Sequence, residues 1–404
     1  MIAIIAWRNV WRNKGRSLVV MGAMVIGIWA LAFAGGFMQS FLTSYIQSAI
    51  KHETSNGQVH HPAFTQDYDI QYYIKDYKPI LAFLAQTKAV ESVTSRSLVN
   101  GMISSSRQAT GVKIIGVDPE AEAKVTGLNT LVGEGAYFAG ISSNPVLIGD
   151  KLAEKLKVNV KSKVVLTFQD LEGNITAGRF RVAGILNASS VSISESSAYV
   201  LKSDLNRLLN IGDNVHEIAY TTTTGTDDEA LARKIQSNFK NDKVESWEEI
   251  SPALVFMEQM MASMLKILIV IIMSALAFGI VNTMLMAVLE RIRELGMLMA
   301  LGMERSKVFL MIMFETIYLS TVGGPVGLMV GFATVSYLGK TGIDLTDYSE
   351  GLEAIGYNSI LYPTLQPMDY FQIVIGVVLT AFLASIYPAW KAIKLKPIDA
   401  LHTV

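Results

Sequence analysis

Four long segments without charged side chains separate the polar parts of the chain. They lie inside 17–50 and at 267–289, 316–339 and 370–390. Each is long enough to cross about 30 Å of hydrocarbon as an α-helix, which rises about 1.5 Å per residue. The pattern predicts four transmembrane helices, the third beginning before its uncharged run. Their predicted bounds, including an outer extension of the first and a stalk before the second, are 18–50, 252–289, 308–339 and 370–390.

The first apolar segment is too long for a signal peptide, and no small-residue cleavage site follows a short apolar core. We therefore expect an uncleaved first span. The composition agrees with a chain partly in lipid, because 51% of the residues are hydrophobic and 17% are charged, against roughly 25% charged in a soluble domain. Lys plus Arg (34) and Asp plus Glu (35) nearly cancel, so no basic field predicts a nucleic-acid partner. The absence of cysteine excludes disulfides, thiolate catalysis and cysteine-ligated metals.

Basic residues cluster before the first span, between the second and third, and after the fourth. The clusters are Arg8, Arg12, Lys14 and Arg16; Arg291, Arg293, Arg305 and Lys307; and Lys391, Lys394 and Lys396. By the positive-inside rule these parts are cytoplasmic, which predicts a cytoplasmic N-terminal segment (1–17) and tail (391–404). The acidic loop 340–369 and the long segment 51–251 are then extracytoplasmic. The predicted fold is membrane α-helical, with four transmembrane helices (1+3) and a large extracytoplasmic α+β domain inserted between helices 1 and 2.

The inserted segment contains two similar β-α-β patterns, one near each end. They are predicted as strand 57–60, helix 76–88 and strand 90–93, and as strand 216–222, helix 227–239 and strand 244–247. Such halves indicate one split α+β subdomain. The middle, about 116–214, is predicted as an inserted β-rich subdomain with a helix at 150–156 and strands at 163–168 and 179–186.

The predicted stalk at 252–266 has an apolar side rich in methionine. Its members are Phe256, Met257, Met260, Met261 and Met264. Methionine adapts to irregular apolar partners, such as lipid or a variable substrate. The alternative is packing against the same helix of a second subunit, since apolar residues at helical spacing usually form a core.

No catalytic or metal-binding pattern emerges from the sequence. Gly339-Lys340-Thr341 resembles the end of a P-loop, but Thr334 stands where the first glycine is required. His60 and His61 point to opposite faces if they lie on a strand, and no ligand cluster accompanies them. We therefore predict neither catalysis nor metal binding.

Two features of the third span are informative. Glu315 is an ionisable residue inside an apolar segment, and such a residue is a candidate functional site with a partner in the bundle. A headgroup-level pair with an arginine such as Arg293 is the alternative for its location. Small residues at four-residue spacing favour close helix packing, and proline favours a kink. These residues are Gly323, Gly327 and Gly331, with Pro325 between them.

The segment 290–303 is a charged island between apolar segments. Its charges, Glu290, Arg291, Arg293 and Glu294, crowd the first turn and predict i,i+3 and i,i+4 contacts within a short helix. Such a helix at the membrane surface either anchors the neighbouring spans or docks a soluble partner.

Several motifs resemble a known family. They are Glu294-Leu295-Gly296, Ala300-Leu301-Gly302, Glu315, Trp7-Arg8-Asn9-Val10-Trp11-Arg12-Asn13, Tyr387-Pro388-Ala389-Trp390-Lys391-Ala392 and Lys396-Pro397-Ile398-Asp399-Ala400-Leu401. On these motifs the whole chain resembles the FtsX-like permeases of type VII ABC transporters, which include lipoprotein-releasing and macrolide-exporter permeases. The stretches 7–16, 57–60 and 146–153 are most similar to the lipoprotein-releasing (LolC/LolE-type) branch.

The resemblance implies a bacterial inner-membrane permease with both termini in the cytoplasm. ATP and Mg would be bound by a separate cytoplasmic ABC ATPase dimer, with no cofactor in this chain, and a second permease chain, identical or paralogous, would complete the transporter. The island (290–307) would be the coupling helix, supported by Glu315. The implied ATPase-coupling residues are Glu290, Arg291, Arg293, Glu294, Leu295, Gly296, Ala300, Leu301 and Gly302.

Three functions compete. The first is extraction of lipoproteins from the inner membrane for a periplasmic carrier, and its candidate lipid-contacting residues are Phe37, Phe41, Tyr45, Met260 and Met264. The second is mechanotransmission in a tripartite efflux system that exports drugs, peptides or toxins with a periplasmic adaptor. The third is regulation of cell-wall hydrolases, for which the large outer segment is less typical.

Overall fold

The computed structural model describes residues 2–141, 143–188, 190–348 and 360–394. The chain divides into two compact units. The membrane unit comprises the described parts of Met1–Leu42, Glu258–Asp344 and Ile360–Val404. The α/β unit comprises those of Thr43–Met257 and Leu345–Ser359. Parts of the predicted loop 340–369 and tail 391–404, at 349–359 and 395–404, lie outside the described residues, as does the 396–401 motif.

The elements are numbered in chain order. The helices are α1 (Ile2–Arg12), α2 (Lys14–Ala49), α3 (Phe64–Asp67), α4 (Lys78–Gln86), α5 (Pro119–Thr126), α6 (Asp150–Leu156), α7 (Val191–Ser196), α8 (Lys202–Leu209), α9 (Asp228–Asn238), α10 (Trp247–Ile250), α11 (Pro252–Glu290), α12 (Ile292–Ala300), α13 (Arg305–Thr341) and α14 (Pro367–Ile393). The strands are β1 (Gly57–His60), β2 (Val90–Ser104), β3 (Ala109–Val117), β4 (Val132–Gly135), β5 (Pro145–Gly149), β6 (Lys163–Gln169), β7 (Ile175–Leu186), β8 (Ser197–Leu201), β9 (Glu217–Thr222), β10 (Lys243–Ser246), β11 (Ile343–Asp344) and β12 (Ile360–Leu361). A π-helical turn, Ile50–Thr54, continues α2.

Four helices are long and apolar enough to cross a membrane: Lys14–Thr54, Pro252–Glu290, Arg305–Thr341 and Pro367–Ile393. Each predicted apolar segment falls within one of them. The predicted stalk and the second apolar segment form the single helix α11, because no glycine or proline interrupts 253–278. The chain passes through the α/β unit between the first two of these helices.

The small residues of α13 face α2 inside the membrane unit. A Cβ added to Gly327 would lie 3.0 Å from Cβ of Ile28 and 3.1 Å from Cα of Val25. A Cβ on Gly331 would lie 2.8 Å from Cβ of Ala32. The helix backbones approach closely at these positions because the glycines have no side chain. Pro325 lies inside α13, which continues on both sides of it.

The α/β unit is built on one large sheet with strand order β10-β1-β9-β2-β3-β8-β5-β7-β4, and β6 pairs with β2 and β7. The long strand β2 joins its two halves. The first part of β2 is antiparallel to β9, and its second part is antiparallel to β3 and β6. One apolar core includes Val59, Ile80, Leu84, Tyr220 and Ile235, and separate cores pack around β3 and β5–β8.

The predicted local elements of both β-α-β patterns are present, as β1, α4 and β2 and as β9, α9 and β10. The middle part has the predicted α6, β6 and β7, but it is more helical than expected. Helices α5, α7 and α8 were not predicted, and β3–β8 and β5–β7 are parallel pairs. Parallel strands require crossover connections, and the short helices α5, α6 and α7 lie within these connections.

Candidate functional site

The charged island lies at the end of α11 and in the short helix α12. Glu290 is the last residue of α11, and Arg291 interrupts the helix with φ −106° and ψ 16°. After α12 the chain turns at Gly302, whose φ of +95° is readily adopted by glycine. The predicted coupling segment 290–307 therefore comprises a helix end, a nine-residue helix and the start of α13.

The two glutamates of the island pair with the N-terminal segment. The Arg12 guanidinium donates to Glu294 at 2.5 Å, and that of Arg16 donates to Glu290. These pairs connect the island to the N-terminal segment on both sides of the break at Arg291, and the predicted contacts within the island stay a prediction. Pairs as exposed as Arg12–Glu294 contribute about 0–1 kcal/mol, so they orient the island more than they stabilise it.

Glu315 is buried at the start of the third apolar segment, with 7% of its surface exposed. The Asn9 amide donates to its Oε1 at 2.7 Å, and the Arg291 guanidinium donates at 3.3 Å. The predicted pair with an arginine, for which Arg293 was the example, is made by Arg291, which lies at the helix break beside α13. The Arg291 guanidinium also donates to the Asn9 carbonyl at 3.4 Å, so this cluster joins α1, the α11–α12 junction and α13.

Asn9 is a site residue that the sequence analysis missed. It follows Ile2 and Ile5 at spacings that place all three on one side of α1. A polar residue on an otherwise apolar helical side was the available signal. The Trp7 ring meets the Tyr318 ring edge-on at 5.3 Å, so α1 also has an aromatic contact with α13.

One side of α12 is buried and the other is exposed in this chain. Leu295 and Gly296 are buried, so these two predicted coupling residues position the helix. The exposed side begins with charge and ends with apolar surface: Met297 is 54% exposed and Leu301 is 80% exposed. The remaining exposed members are Arg293, Glu294, Ala300 and Gly302. We call these six residues the α12 face.

A cavity of about 300 Å³ opens beside α12. Its wall includes Ile5 and Asn9 of α1, Leu298 of α12 and Met311 and Glu315 of α13. The wall is mainly apolar around the carboxylate of Glu315. The cavity gives α12 room to shift relative to α1 and α13.

The candidate lipid-contacting residues are distributed over both units. Phe37 and Phe41 continue a line of aromatic rings on α2 that starts at Trp29. The ring centroids of Phe37 and Phe41 are 5.6 Å apart. Met260 and Met264 lie on α11 in the membrane unit and are 41% and 47% exposed. Tyr45 belongs to the α/β unit.

A second polar cluster, also missed by the sequence analysis, is buried in the α/β unit. Arg96 on β2 donates two hydrogen bonds to Glu122 of α5, at 2.8 and 3.0 Å, and one to Glu217 of β9 at 2.7 Å. His60 lies 3.3 Å from Glu217 and 3.8 Å from Glu245. The register places His60, Glu217 and Arg96 side by side on three neighbouring strands. We call these five residues the Arg96 cluster.

The Arg96 cluster changes the protonation of its members. Burial alone would raise the pKa of Glu217, but Arg96 and His60 hold that pKa well below its usual range. Burial alone would lower the pKa of His60, but its contacts with Glu217 and Glu245 raise it above its ordinary value. The cluster is therefore a set of compensated charges that joins β1, β2, β9 and α5.

Comparison with known proteins gives two family matches. Residues 266–397 match the FtsX-like permease C-terminal model, and residues 17–238, more than half of the chain, match the MacB-like periplasmic core domain. The lipoprotein-releasing system transmembrane protein LolC of Haemophilus influenzae is 23% identical over 309 residues, which cover 74% of this chain and 72% of that protein. The macrolide export ATP-binding/permease protein MacB of Syntrophobacter fumaroxidans is 30% identical over 160 residues, 39% of this chain and 20% of that protein.

A solved structure also resembles part of the chain. It is the periplasmic region of MacB from Actinobacillus actinomycetemcomitans. The superposed part covers 51% of this chain and 95% of that structure, with 13% identity and a TM-score of 0.37.

Proposed function

Because the chain belongs to the FtsX-like permeases with a MacB-like periplasmic core domain, we propose that it extracts lipoproteins from the bacterial inner membrane for a periplasmic carrier. It is a multi-pass membrane protein of the ABC transporter permease class. In this proposal the four long helices cross the membrane in a 1+3 arrangement, both termini are cytoplasmic and the α/β unit is periplasmic. The cytoplasmic parts are then 1–17, 290–307 and 391–404, and the periplasmic parts are 51–251 and 340–369.

The α12 face is the observation that carries the proposed link to ATP hydrolysis. It combines exposed charge at Arg293 and Glu294 with exposed apolar surface at Met297 and Leu301. Exposed apolar surface rimmed by polar groups is typical of a protein–protein interaction site. A cytoplasmic ABC ATPase dimer, which binds ATP and Mg, would dock here, and a second permease chain would pair with this one.

The contacts among Asn9, Arg291 and Glu315 connect this docking site mechanically to α1 and α13. A displacement of α12 changes the position of Arg291, whose guanidinium contacts both Glu315 of α13 and Asn9 of α1. In this proposal movement of α12 passes to α11 through the chain itself and to α1 and α13 through Arg291. The small residues of α13 would pass the movement to α2, against which they pack closely.

Exchange of Glu294 for arginine is expected to lower ATPase-coupled transport about tenfold, the effect of losing about 1.4 kcal/mol of docking free energy. The variant should keep a folded α/β unit, because Glu294 is exposed. Transport in proteoliposomes and ATP hydrolysis would be measured together. The control is the double variant Arg12→Glu, Glu294→Arg, which re-forms an ion pair inside the chain. Restored transport in the double variant would contradict a docking role for Glu294.

The relationship to LolC over most of the chain supports lipoprotein release. The exposed methionines of α11 and the aromatic line of α2 offer adaptable apolar surface for acyl chains. In the proposal, Phe37, Phe41, Tyr45, Met260 and Met264 contact the cargo.

A photo-crosslinking residue at position 260 or 264 is expected to capture lipoprotein in the complex without ATP. Leu379 on α14, which is 55% exposed, is the matched control for general contact with membrane lipid and protein. Immunoblotting for lipoproteins would identify the adducts. Equal capture from positions 260, 264 and 379, or no lipoprotein at any of them, would count against lipoprotein extraction.

Efflux by mechanotransmission is the second candidate, and the match of residues 17–238 to the MacB-like periplasmic core domain favours it. In this function the α/β unit would move against a periplasmic adaptor and drive export of a drug, peptide or toxin. Co-purification of an adaptor and an outer-membrane channel with the intact complex would support efflux over lipoprotein release.

A further inference from the structure

A partly enclosed cavity of about 160 Å³ lies in the α/β unit beside the Arg96 cluster. Its floor is the sheet: Leu98 of β2 is paired with Ile115 of β3, and Ile115 is paired with Tyr199 of β8. Directly paired residues on neighbouring strands point to the same face. Lys113, two residues before Ile115 on β3, therefore lies on this face and lines the cavity.

The carboxylates around the cavity already have donors from the protein. Glu122 accepts from Arg96 and from the Thr94 hydroxyl. Glu217 accepts from Arg96 and contacts His60. The Ser190 hydroxyl donates to Glu53. The carboxylates that line the cavity therefore already accept hydrogen bonds from donors of this chain.

Two hydrogen-bond donors in the cavity wall, the Lys113 ammonium and the Thr54 hydroxyl, have no such partner in the described part of the chain. Within the described residues, no carboxylate lies within ion-pair distance of the Lys113 ammonium. The ammonium lies 5.2 Å from the centroid of the Tyr68 ring, and Glu217 and Glu53 attract it only from a greater distance. Thr54 also lines the cavity and is 8% exposed, and its buried hydroxyl has no hydrogen-bond partner in the described part of the chain. A buried polar group without a partner is unfavourable, because it has lost its hydrogen bond to water.

We propose that this cavity is a binding site for a small oxyanion of about the size of phosphate, held by the Lys113 ammonium and the Thr54 hydroxyl. Both groups have unused hydrogen-bond donors, and an oxyanion supplies several acceptors and a negative charge close to the ammonium. A volume of 160 Å³ holds such a group, because one water occupies about 30 Å³ of liquid. Desolvation lowers the pKa of Lys113, and a bound oxyanion would reverse that effect.

The position of the cavity gives the bound anion a structural role. His52, Glu53 and Thr54, which line it, belong to the π-helical turn that continues α2. Ile250, which also lines it, precedes α11 by two residues. The anion would thus contact the segments by which the chain enters and leaves the α/β unit, and its binding would stiffen both connections.

The test is the rate at which the Lys113 amine is acetylated in the full chain in detergent, measured by mass spectrometry at neutral pH. The rate at Lys113 without oxyanion is the reference, and the exposed Lys157 reports any general effect of the added compound on the reagent. Inorganic phosphate should slow Lys113 about tenfold, the effect of raising its pKa by about one unit, and should leave Lys157 unchanged. Sodium chloride at equal ionic strength is the control for screening.

Thr54→Val tests the second donor with little risk to folding, because the hydroxyl that it removes has no partner in the protein. Protection of Lys113 by phosphate should then need a several-fold higher concentration. A short-chain phosphatidic acid forms a separate arm: protection by this lipid alone would assign the oxyanion to a lipid headgroup, and protection by phosphate would assign it to a free anion. If neither compound slows Lys113, or if both slow Lys113 and Lys157 equally, the site is rejected. Equal protection in the Thr54→Val chain would reject the role of Thr54.

Discussion

Replacement of Arg96 with methionine is expected to destabilise the α/β unit by about 3–5 kcal/mol, the usual cost of leaving a buried partner charge uncompensated. The guanidinium is 5% exposed and donates to two carboxylates, of which Glu122 is fully buried and Glu217 is 4% exposed. Methionine replaces the unbranched stem of arginine but not the guanidinium, so it removes every one of these donors. Both carboxylates must then either take up protons or admit water between β2, β9 and α5.

Urea unfolding of the full chain in detergent would measure this effect, with proteolytic susceptibility of the α/β unit as the readout. Arg107→Met, at an exposed position of the same unit, is the matched control and should change stability by less than about 0.5 kcal/mol. Adding Glu122→Gln and Glu217→Gln to Arg96→Met should recover part of the loss, because the buried negative charges are then removed. A single Arg96→Met chain as stable as the Arg107→Met chain would show that the cluster does not hold the unit together.

Leucine at position 327 is expected to prevent the close contact of α13 with α2. The first carbon of the new side chain would lie 3.1 Å from Cα of Val25, and a backbone atom cannot move aside as the end of a flexible side chain can. Overpacking of this kind costs about 1–3 kcal/mol, and the branched remainder of leucine adds further overlap with Ile28. The variant should accumulate at lower levels in the membrane and assemble poorly into the complete transporter.

Gly22→Leu is the matched control, because Gly22 lies on α2 and a Cβ there would meet nothing within 4 Å. Both variants have the same change in volume and hydrophobicity, so a difference between them reports helix packing. Membrane abundance and complex formation on size exclusion would be compared. Normal assembly of the Gly327→Leu chain would remove the packing role of the small residues in α13.

The positions of the long helices were predictable because hydropathy is a local property of consecutive residues. Runs such as 267–289 have no charged residue to place in hydrocarbon, and the helix follows from the need to satisfy the backbone internally. The β-α-β patterns at the two ends of the α/β unit were predictable for a similar reason, since α4 and α9 carry periodic apolar residues. The short helices α5 and α7 have weaker signals because few of their positions are apolar. Helix α8 does carry a periodic signal, Leu205, Leu208 and Leu209 at helical spacing, which the sequence analysis did not use.

The pairing of polar residues was less predictable. Glu315 was recognised as a site candidate from its apolar surroundings, but its partners lie 306 and 24 residues away, at Asn9 and Arg291. The break at Arg291 decides which arginine turns towards α13, and a one-residue change in a helix rotates the side chains by about 100°. The island glutamates likewise pair with distant residues: Arg12 and Arg16 lie 282 and 274 positions from Glu294 and Glu290.

The charged island shows where the sequence is sufficient and where it is not. The sequence alone determined that a short charged helix interrupts two apolar segments, because charge density and helix propensity depend on neighbouring residues. Only the tertiary structure decided that Leu295 and Gly296 face inward and that Met297 and Leu301 are exposed. In the α/β unit, only the tertiary structure decided that Arg96 brings together carboxylates from α5 and β9. These outcomes depend on which distant segments meet, and contact between residues tens or hundreds of positions apart is set by the packing of the whole chain.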